Sequence, residues 1–261
     1  MAAPLHLIVT GIARSGTTAL AELLNSHEKI CVGIERFKFQ YLHNNFYSAD
    51  LFEKDRFFDF RPEDTNLRPA VRPDWQETYD IIARKWDGAA VIGDKVPDLT
   101  LVLQDMLTQN PDFKCLYILR NLKDVGLSWQ ARANRTRDSW PAGKGFVAAC
   151  ASWQTQSRAL FDLMVKKEFN QRILLLDYDS MYEPGNQTAA AILKFLGVGP
   201  SASYSQTFRR HAVFARQRKP TILPEDFLEA FVAVDKSFAR KMRKRSMNQI
   251  DRVMDVHKPA W

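Results

Sequence analysis

Short apolar runs alternate along most of the chain with longer stretches in which apolar residues recur at helical spacing. The runs predict five buried strands, because they are short and bounded by turn or charged residues; they cover residues 5–9, 30–32, 89–93, 114–119 and 173–177. Most of the stretches between them predict helices. Strands that alternate with helices are typical of a parallel sheet covered on both faces. We therefore predict an α/β fold, a three-layer α/β/α sandwich with a largely parallel central sheet.

The first predicted strand leads directly into a glycine-containing loop, Gly11-Ile12-Ala13-Arg14-Ser15-Gly16-Thr17-Thr18. Leucines follow it at helical spacing, so the loop joins a strand to a helix. Backbone N–H groups and the helix dipole favour an anion at such a turn, most often a phosphate. The glycine spacing is that of a nucleotide triphosphatase loop, but Thr17 stands where those enzymes carry a lysine. The loop therefore predicts phosphate binding without triphosphate hydrolysis, against the alternative of an ordinary strand–helix turn.

A second strand-to-helix junction has the chemistry of an anion site. The strand over residues 114–119 ends in Arg120, and Ser128 follows eight residues later on the next predicted helix. A guanidinium and a hydroxyl at this spacing mean little alone. Together with the loop at residues 11–18 they form a specific pair of phosphate motifs.

These motifs resemble those of sulfotransferases that use 3′-phosphoadenosine-5′-phosphosulfate (PAPS). Arg14-Ser15-Gly16-Thr17-Thr18 is similar to the family's 5′-phosphosulfate loop, and Arg120 with Ser128 is similar to its 3′-phosphate motif. Ala19 stands where the aryl branch commonly has tryptophan, so the chain looks more like the carbohydrate and protein-tyrosine branch, as a soluble member of bacterial type. The resemblance implies a P-loop-like sulfotransferase fold in a single domain over residues 1–261, with PAPS as co-substrate and no metal.

The resemblance also implies two catalytic residues at strand ends, the edge where open α/β sheets bind their ligands. In tyrosine-directed relatives the base lies in a Cys-Gly-Glu-Glu segment; here Val32-Gly33-Ile34-Glu35 keeps the second glutamate. Gly93-Asp94-Lys95-Val96-Pro97 resembles a Gly-Glu/Asp-Lys-x-Pro segment whose lysine faces the transferred group. Glu35 is thus implied as the base and Lys95 as the cation. His27 is only a weak reserve base, and we expect it instead to pack at the end of its helix.

Relatives close the 3′-phosphate site with a basic loop near the C-terminus, often Arg-Lys-Gly. Arg218-Lys219-Pro220 resembles this loop, so Arg218 and Lys219 are implied as further cofactor contacts. Asp177, at the end of the fifth predicted strand, could instead hold magnesium in a P-loop nucleotide kinase or hydrolase. That enzyme class is one alternative. A non-catalytic nucleotide-binding module, in which Glu35 and Lys95 would be dispensable, is the other.

Composition narrows the class of protein. The 261 residues are 46% hydrophobic and 26% charged, as in soluble globular proteins. No stretch approaches the ~20 apolar residues of a membrane span or forms a signal sequence, which predicts a cytoplasmic protein. The chain has three cysteines and no Cys-x-x-Cys pair. This pattern is consistent with a reducing compartment and does not indicate a structural zinc site.

The formal charge of +7 raises a nucleic-acid partner as a possibility. The basic residues are scattered among 30 acidic ones, however, and no nucleic-acid-binding motif is present. We expect no nucleic-acid partner, and instead a cleft that receives a multiply charged anion.

The acceptor is predicted from two segments rich in aromatic and basic residues. Residues 36–60 are dense in aromatics and include four cations, Arg36, Lys38, Lys54 and Arg56. A second basic loop contains Arg132, Arg135, Arg137 and Trp140. If these segments border the cleft beyond Glu35, they would suit a hydroxyl on a sizeable, anionic acceptor such as a saccharide or glycolipid.

Overall fold

Five parallel strands form one sheet in the computed structural model, which describes residues 3–136, 140–218 and 221–254. The strands are β1 (Leu5–Thr10), β2 (Ile30–Ile34), β3 (Val91–Lys95), β4 (Lys114–Leu119) and β5 (Ile173–Asp177). Their order, β2-β3-β1-β4-β5, places β1 at the centre. In the register of the sheet, Leu5 lies beside Val91 and Leu7 beside Lys114. The predicted α/β fold with a parallel sheet is confirmed.

Helices connect the strands and cover the sheet. Among the described residues the α-helices are α1 (Thr17–Asn25), α2 (Lys38–Leu42), α3 (Lys54–Phe58), α4 (Gln76–Lys85), α5 (Leu103–Gln109), α6 (Leu122–Ala133), α7 (Phe146–Val165), α8 (Lys167–Asn170), α9 (Thr188–Leu196), α10 (Ala202–Gln217), α11 (Leu228–Ala233) and α12 (Ser237–Met254). The sequence predicts one helix over residues 99–109, whereas the structure has a 3₁₀ turn at Leu99–Leu101 before α5. Leu99, Leu103 and Leu107 are buried, whereas Leu101 is exposed.

The two faces of the sheet pack against different helices, because alternate strand residues point to opposite faces. Ile8 and Tyr117 belong to a core that α4, α5 and α7 complete. Leu7 and Ile118 belong to a second core, which includes side chains of α1, α9 and α10. Since both faces are covered, the strands are nearly continuous apolar runs, and the three-layer prediction is confirmed.

The aromatic rings between residues 36 and 60 lie mostly in the first core. Five of them are 3% exposed or less: Phe37, Tyr41, Tyr47, Phe52 and Phe57. The expectation that these rings border the acceptor cleft is therefore wrong. They hold the segment against the sheet.

The cations of the same segment also serve its folding. Buried Arg36 donates to Asp64 at 2.8 Å and to the carbonyl of Phe57 at 2.7 Å. Arg56 pairs with Asp64 at 2.5 Å, and Lys54 pairs with an exposed aspartate. Of the four predicted cleft cations, Lys38 alone contacts a candidate catalytic residue among the described residues.

Candidate active site

The loop between β1 and α1 forms a backbone cradle at the carboxyl edge of the sheet. Arg14 and Gly16 have φ values of 74° and 108°, in the left-handed region. Gly16 is needed for packing as well, since a Cβ there would lie 2.7 Å from the ring of Tyr178. Helix α1 begins at Thr17 with no side-chain cap from Gly16, so its first N–H groups are open to a ligand. This arrangement suits an anion.

Asp98 lies three residues after β3 and fixes this loop, a role that the sequence does not indicate. Its carboxylate accepts the N–H of Ala13 at 2.9 Å, and its own N–H donates to the carbonyl of Gly11 at 2.9 Å. Trp129 holds Ala13 from the other side, with its indole N–H 2.8 Å from the Ala13 carbonyl. The two partners of Ala13 lie far from it in the sequence: Asp98 is 85 positions away and Trp129 is 116 positions away. No local sequence pattern could therefore identify Asp98 or Trp129 as residues that hold the loop.

Two buried polar atoms beside the cradle have no hydrogen-bond partner among the described residues, Ser15 Oγ and Arg120 Nε. Such atoms are costly to bury without a partner, because they lose their hydrogen bonds to water. Both can donate to an anion's oxygen atoms. The cradle and these donors therefore fit a phosphate- or sulfate-bearing ligand.

The second predicted phosphate motif lies against the first. Ser128, on α6, accepts a hydrogen bond from Arg14 Nε at 3.1 Å. Arg120 follows β4 directly; its Nη1 donates to the Arg14 carbonyl at 3.1 Å, and its Nη2 lies 3.1 Å from Asp124. Its guanidinium also stacks on Tyr178, 4.5 Å from the ring centroid. The structure thus brings Arg14, Arg120 and Ser128 together.

A cavity of about 430 Å³ opens beside Arg120. Its lining includes Tyr178, Tyr182 and three cations, Lys123, Arg216 and Arg218. Arg218 Nη1 lies 3.7 Å from Asp124 Oδ2 and so reaches the surroundings of Arg120. Lys219 lies outside the described residues. The volume is within the range of ligand pockets. Three carboxylates, Asp124, Asp179 and Glu183, line the cavity together with the three cations, so its lining is polar without a net charge.

Glu35 and Lys95 meet at the ends of β2 and β3. Lys95 Nζ lies 3.1 Å from Glu35 Oε1, and Lys38 Nζ lies 3.1 Å from Glu35 Oε2. Burial raises the pKa of Glu35, but the two ammonium groups outweigh it and hold that pKa below its ordinary value. Lys95 is 2% exposed and Lys38 30%, so the pair has an interior cation and an accessible one. The geometry therefore gives an ionised carboxylate beside two cations at the edge where the cradle lies.

Two other residues singled out by the sequence, His27 and Asp177, have their polar atoms bound by protein groups. His27 lies at the opposite end of β2; its Nε2 is 2.9 Å from the Gly199 carbonyl and its Nδ1 accepts the N–H of Lys29. It is therefore not positioned as a reserve base. Asp177 lies 3.5 Å from Arg243 and accepts the hydroxyl of Ser180, so its oxygens are engaged by protein groups. The described residues contain no group of three or more His, Cys, Asp or Glu placed to hold a metal ion.

A parallel sheet with an anion cradle between its central strand and the next helix defines an α/β protein of the P-loop-like class. The sequence matches the Sulfotransferase family over residues 5–201. No curated protein sequence matches it significantly. None of the described helices is long and apolar enough to cross a membrane.

Two solved structures with TM-scores of 0.50 or more agree on the fold. The sulfotransferase domain from the curacin biosynthetic pathway superposes with a TM-score of 0.52 at 14% identity, over 94% of this chain and 98% of its own. Sulfotransferase STF9 from Mycobacterium avium gives 0.50 at 14% identity, over 97% and 77%. Mouse sulfotransferase SULT7A1, crystallised with PAP, gives 0.47 at 14% identity, over 98% and 87%.

The family match covers most of the chain. The protein therefore belongs to the sulfotransferase family and is a transferase of the PAPS-dependent class. Enzymes of this family transfer a sulfuryl group to hydroxyl-bearing acceptors.

Proposed function

We propose that this chain moves a sulfuryl group from PAPS to a saccharide or glycolipid hydroxyl, with Glu35 as the base. One observation supports this proposal most. The anion cradle, the Arg120–Ser128 motif and the Glu35–Lys95 pair all lie at the same edge of the sheet. Segment 95–98 links them, because Asp98 binds the cradle and Lys95 binds Glu35. We place the whole activity in one cytoplasmic domain over residues 1–261.

The two phosphate motifs divide the co-substrate between them in this proposal. The backbone N–H groups of Gly16, Thr17 and Thr18, together with Arg14 and the Ser15 hydroxyl, hold the 5′-phosphosulfate, whereas the Ser15 N–H donates to the Ile12 carbonyl at 3.0 Å. Arg120 and Ser128 hold the 3′-phosphate, with Arg218 and Lys219 closing on it. The cavity beside Tyr178 receives the adenosine part, which is consistent with its volume of about 430 Å³.

Chemistry of this kind needs positioning and charge stabilisation more than covalent help from the protein. PAPS supplies a sulfuryl group on a good leaving group, the 5′-phosphate. Glu35 accepts the acceptor's proton while the acceptor oxygen forms its bond to sulfur, and the electron pair of the broken S–O bond stays on the phosphate. Lys95 and the cradle's N–H groups offset that negative charge. The lowered pKa of Glu35 keeps its carboxylate ionised at neutral pH and below, which is the form that can accept the proton.

Trp140, and not the buried rings of residues 36–60, is the aromatic residue that supports a sizeable acceptor. Trp140 packs edge-on against Trp129 at 5.0 Å, and Trp129 holds the cradle at Ala13. Arg132 and Lys144 lie 5.1 and 5.7 Å from the Trp140 ring centroid. An aromatic face with two cations near the cradle supports a sizeable saccharide with acidic substituents.

Ligand selectivity tests the cofactor assignment. Charge-assisted hydrogen bonds are worth ~1.5–3 kcal/mol each, so Arg120→Ala should weaken 3′-phosphoadenosine 5′-phosphate (PAP) at least about tenfold in titration calorimetry. Adenosine 5′-phosphosulfate lacks the 3′-phosphate, and its affinity should barely change. Arg158→Ala is the matched control, because Arg158 pairs with Asp162 on an exposed surface. Equal losses for both ligands, or magnesium-ATP bound as tightly as PAP, would contradict the proposal.

A further inference from the structure

The backbone at Glu35 is strained. Its φ is 51°, in the left-handed region that residues other than glycine seldom occupy. Such a conformation persists only where the surrounding structure holds it. The turn after β2 must therefore be fixed by specific contacts.

Two consecutive residues of β3 supply those contacts. The carbonyl of Lys95 accepts the N–H of Glu35 at 2.7 Å. The Asp94 carboxylate accepts the next two N–H groups, that of Arg36 on Oδ1 at 2.9 Å and that of Phe37 on Oδ2 at 2.8 Å. All three N–H groups of the turn are thus bound by β3.

Asp94 is fully buried, and each of its oxygens binds a backbone N–H. In the part of the chain that the structure describes, no hydrogen bond joins the Asp94 carboxylate to the Glu35 carboxylate. The adjacent residue on β3, Lys95, points its ammonium group at that carboxylate from 3.1 Å. We call the two hydrogen bonds from the backbone N–H groups of Arg36 and Phe37 to Asp94 the clasp. Through the backbone, the clasp sets the distance between Glu35 and Lys95.

We propose that Asp94 is a positioning residue for the reaction: its carboxylate clasps the N–H groups of Arg36 and Phe37 and so holds Glu35 in the conformation that faces Lys95. This inference rests on the proposed role of Glu35 as base. Asp94 takes no proton from the acceptor and binds no part of PAPS.

A double-mutant cycle separates positioning from a general structural role. Asp94→Asn keeps one acceptor oxygen but places an NH₂ group against a backbone N–H, which breaks one arm of the clasp. We expect kcat to fall about 10- to 100-fold while the Kd for PAP stays within about twofold. In an E35Q background the same substitution should change kcat less than about twofold, because the base it positions is already gone.

Asp64→Asn is the matched control. Asp64 is also fully buried and binds the same segment through the side chains of Arg36 and Arg56, but it accepts no backbone N–H from Glu35, Arg36 or Phe37. We expect it to lower Tm and to change kcat by the same factor in the wild-type and E35Q backgrounds.

A second variant covers the case in which D94N does not fold. A Cβ added at Gly33 would lie 3.2 Å from Asp94 Oδ1 and 3.0 Å from both Arg36 Cβ and Phe57 Cζ, so Gly33→Ala presses on the clasp without removing it. Its effect on kcat, expected to be severalfold, should also vanish in the E35Q background.

The outcomes distinguish this inference from the proposed function. If the kcat of D94N/E35Q, or of G33A/E35Q, is lower than that of E35Q by the full factor seen in the wild-type background, the positioning role is overturned while Glu35 remains the base. Near-normal turnover of E35Q alone would overturn both.

Discussion

Glu35 is held between a buried lysine and an accessible one, and this arrangement governs its acidity. Lys95 and Lys38 both lie 3.1 Å from its carboxylate and lower its pKa. A base with a depressed pKa is ionised over a wide pH range but accepts a proton less readily. We infer that a bound anionic group that draws either ammonium away would strengthen the base when the substrates are present.

Lys38→Ala tests this electrostatic coupling. Removing one lowering charge should raise the pKa of Glu35, so the acid limb of the kcat/KM profile should move to higher pH. The measurement is a pH–rate series on wild type, K38A and K54A. Lys54 pairs with exposed Asp87 away from Glu35, so its variant should follow wild type. Superimposable acid limbs for K38A and wild type would contradict the coupling.

The buried carboxyl of Asp94 should make the stability of the protein depend on pH. Burial raises its pKa from 3.8 to about 6, ahead of the opposing hydrogen bonds from Arg36 and Phe37. A carboxyl with a raised folded-state pKa contributes stability below pH 3.8 that is lost as pH rises through about 6; the difference is worth on the order of 3 kcal/mol. The free energy of unfolding of wild type, measured relative to D94N, should therefore fall between pH 4 and 7. Parallel stability curves would contradict this.

The sequence identifies catalytic candidates at strand ends but not the residues that hold them. The resemblance to sulfotransferase segments points to Glu35 and Lys95, and their positions at the carboxyl ends of parallel strands agree with a shared site, because those ends meet at one edge. Asp94 and Asp98 act through backbone N–H groups of distant turns, and the need for them arises from left-handed φ values that only the folded chain shows. Arg36 is a converse case, a charge that pairs with Asp64 in the interior and not at the cleft.

At the scale of elements, the cradle depends on the turn from β1 into α1. Gly16→Ala should weaken PAP at least about tenfold, because alanine is strained at φ 108° and its Cβ would lie 2.7 Å from Tyr178. Gly143→Ala is the control, since a Cβ there meets nothing within 4 Å. Calorimetry and Tm together separate lost binding from lost folding. PAP affinity of G16A within twofold of wild type would show that the cradle does not bind the nucleotide.

Element boundaries were predicted best where the hydrophobic pattern is strongest. The predicted β4 and β5 have the observed bounds, because apolar strands buried on both faces are bounded by charged residues. The expectation for the aromatic residues 36–60 is wrong because a ring at a cleft and a ring in a core give the same local sequence pattern. Helix α10 was not predicted; its apolar face has few buried side chains and is interrupted by arginines.

For the molecule as a whole, the topology explains why the site residues converge. β1 lies between β3 and β4, so the loop after β1 meets Asp98 on one side and Arg120 on the other. The net charge of +7 adds a general attraction for a nucleotide that carries several negative charges. Fold class and phosphate motifs follow from the sequence, whereas the acceptor depends on surfaces that only the folded molecule assembles.

Transfer of labelled sulfate from PAPS to a panel of saccharide hydroxyls, by wild type and Glu35→Gln, tests the central claim most directly. We predict transfer by wild type, and a kcat for E35Q that is lower by ~10²-fold or more with the PAP affinity unchanged. The amide preserves the shape of the side chain but cannot take the proton. Absence of transfer to every hydroxyl acceptor, or near-normal turnover by E35Q, would contradict the account.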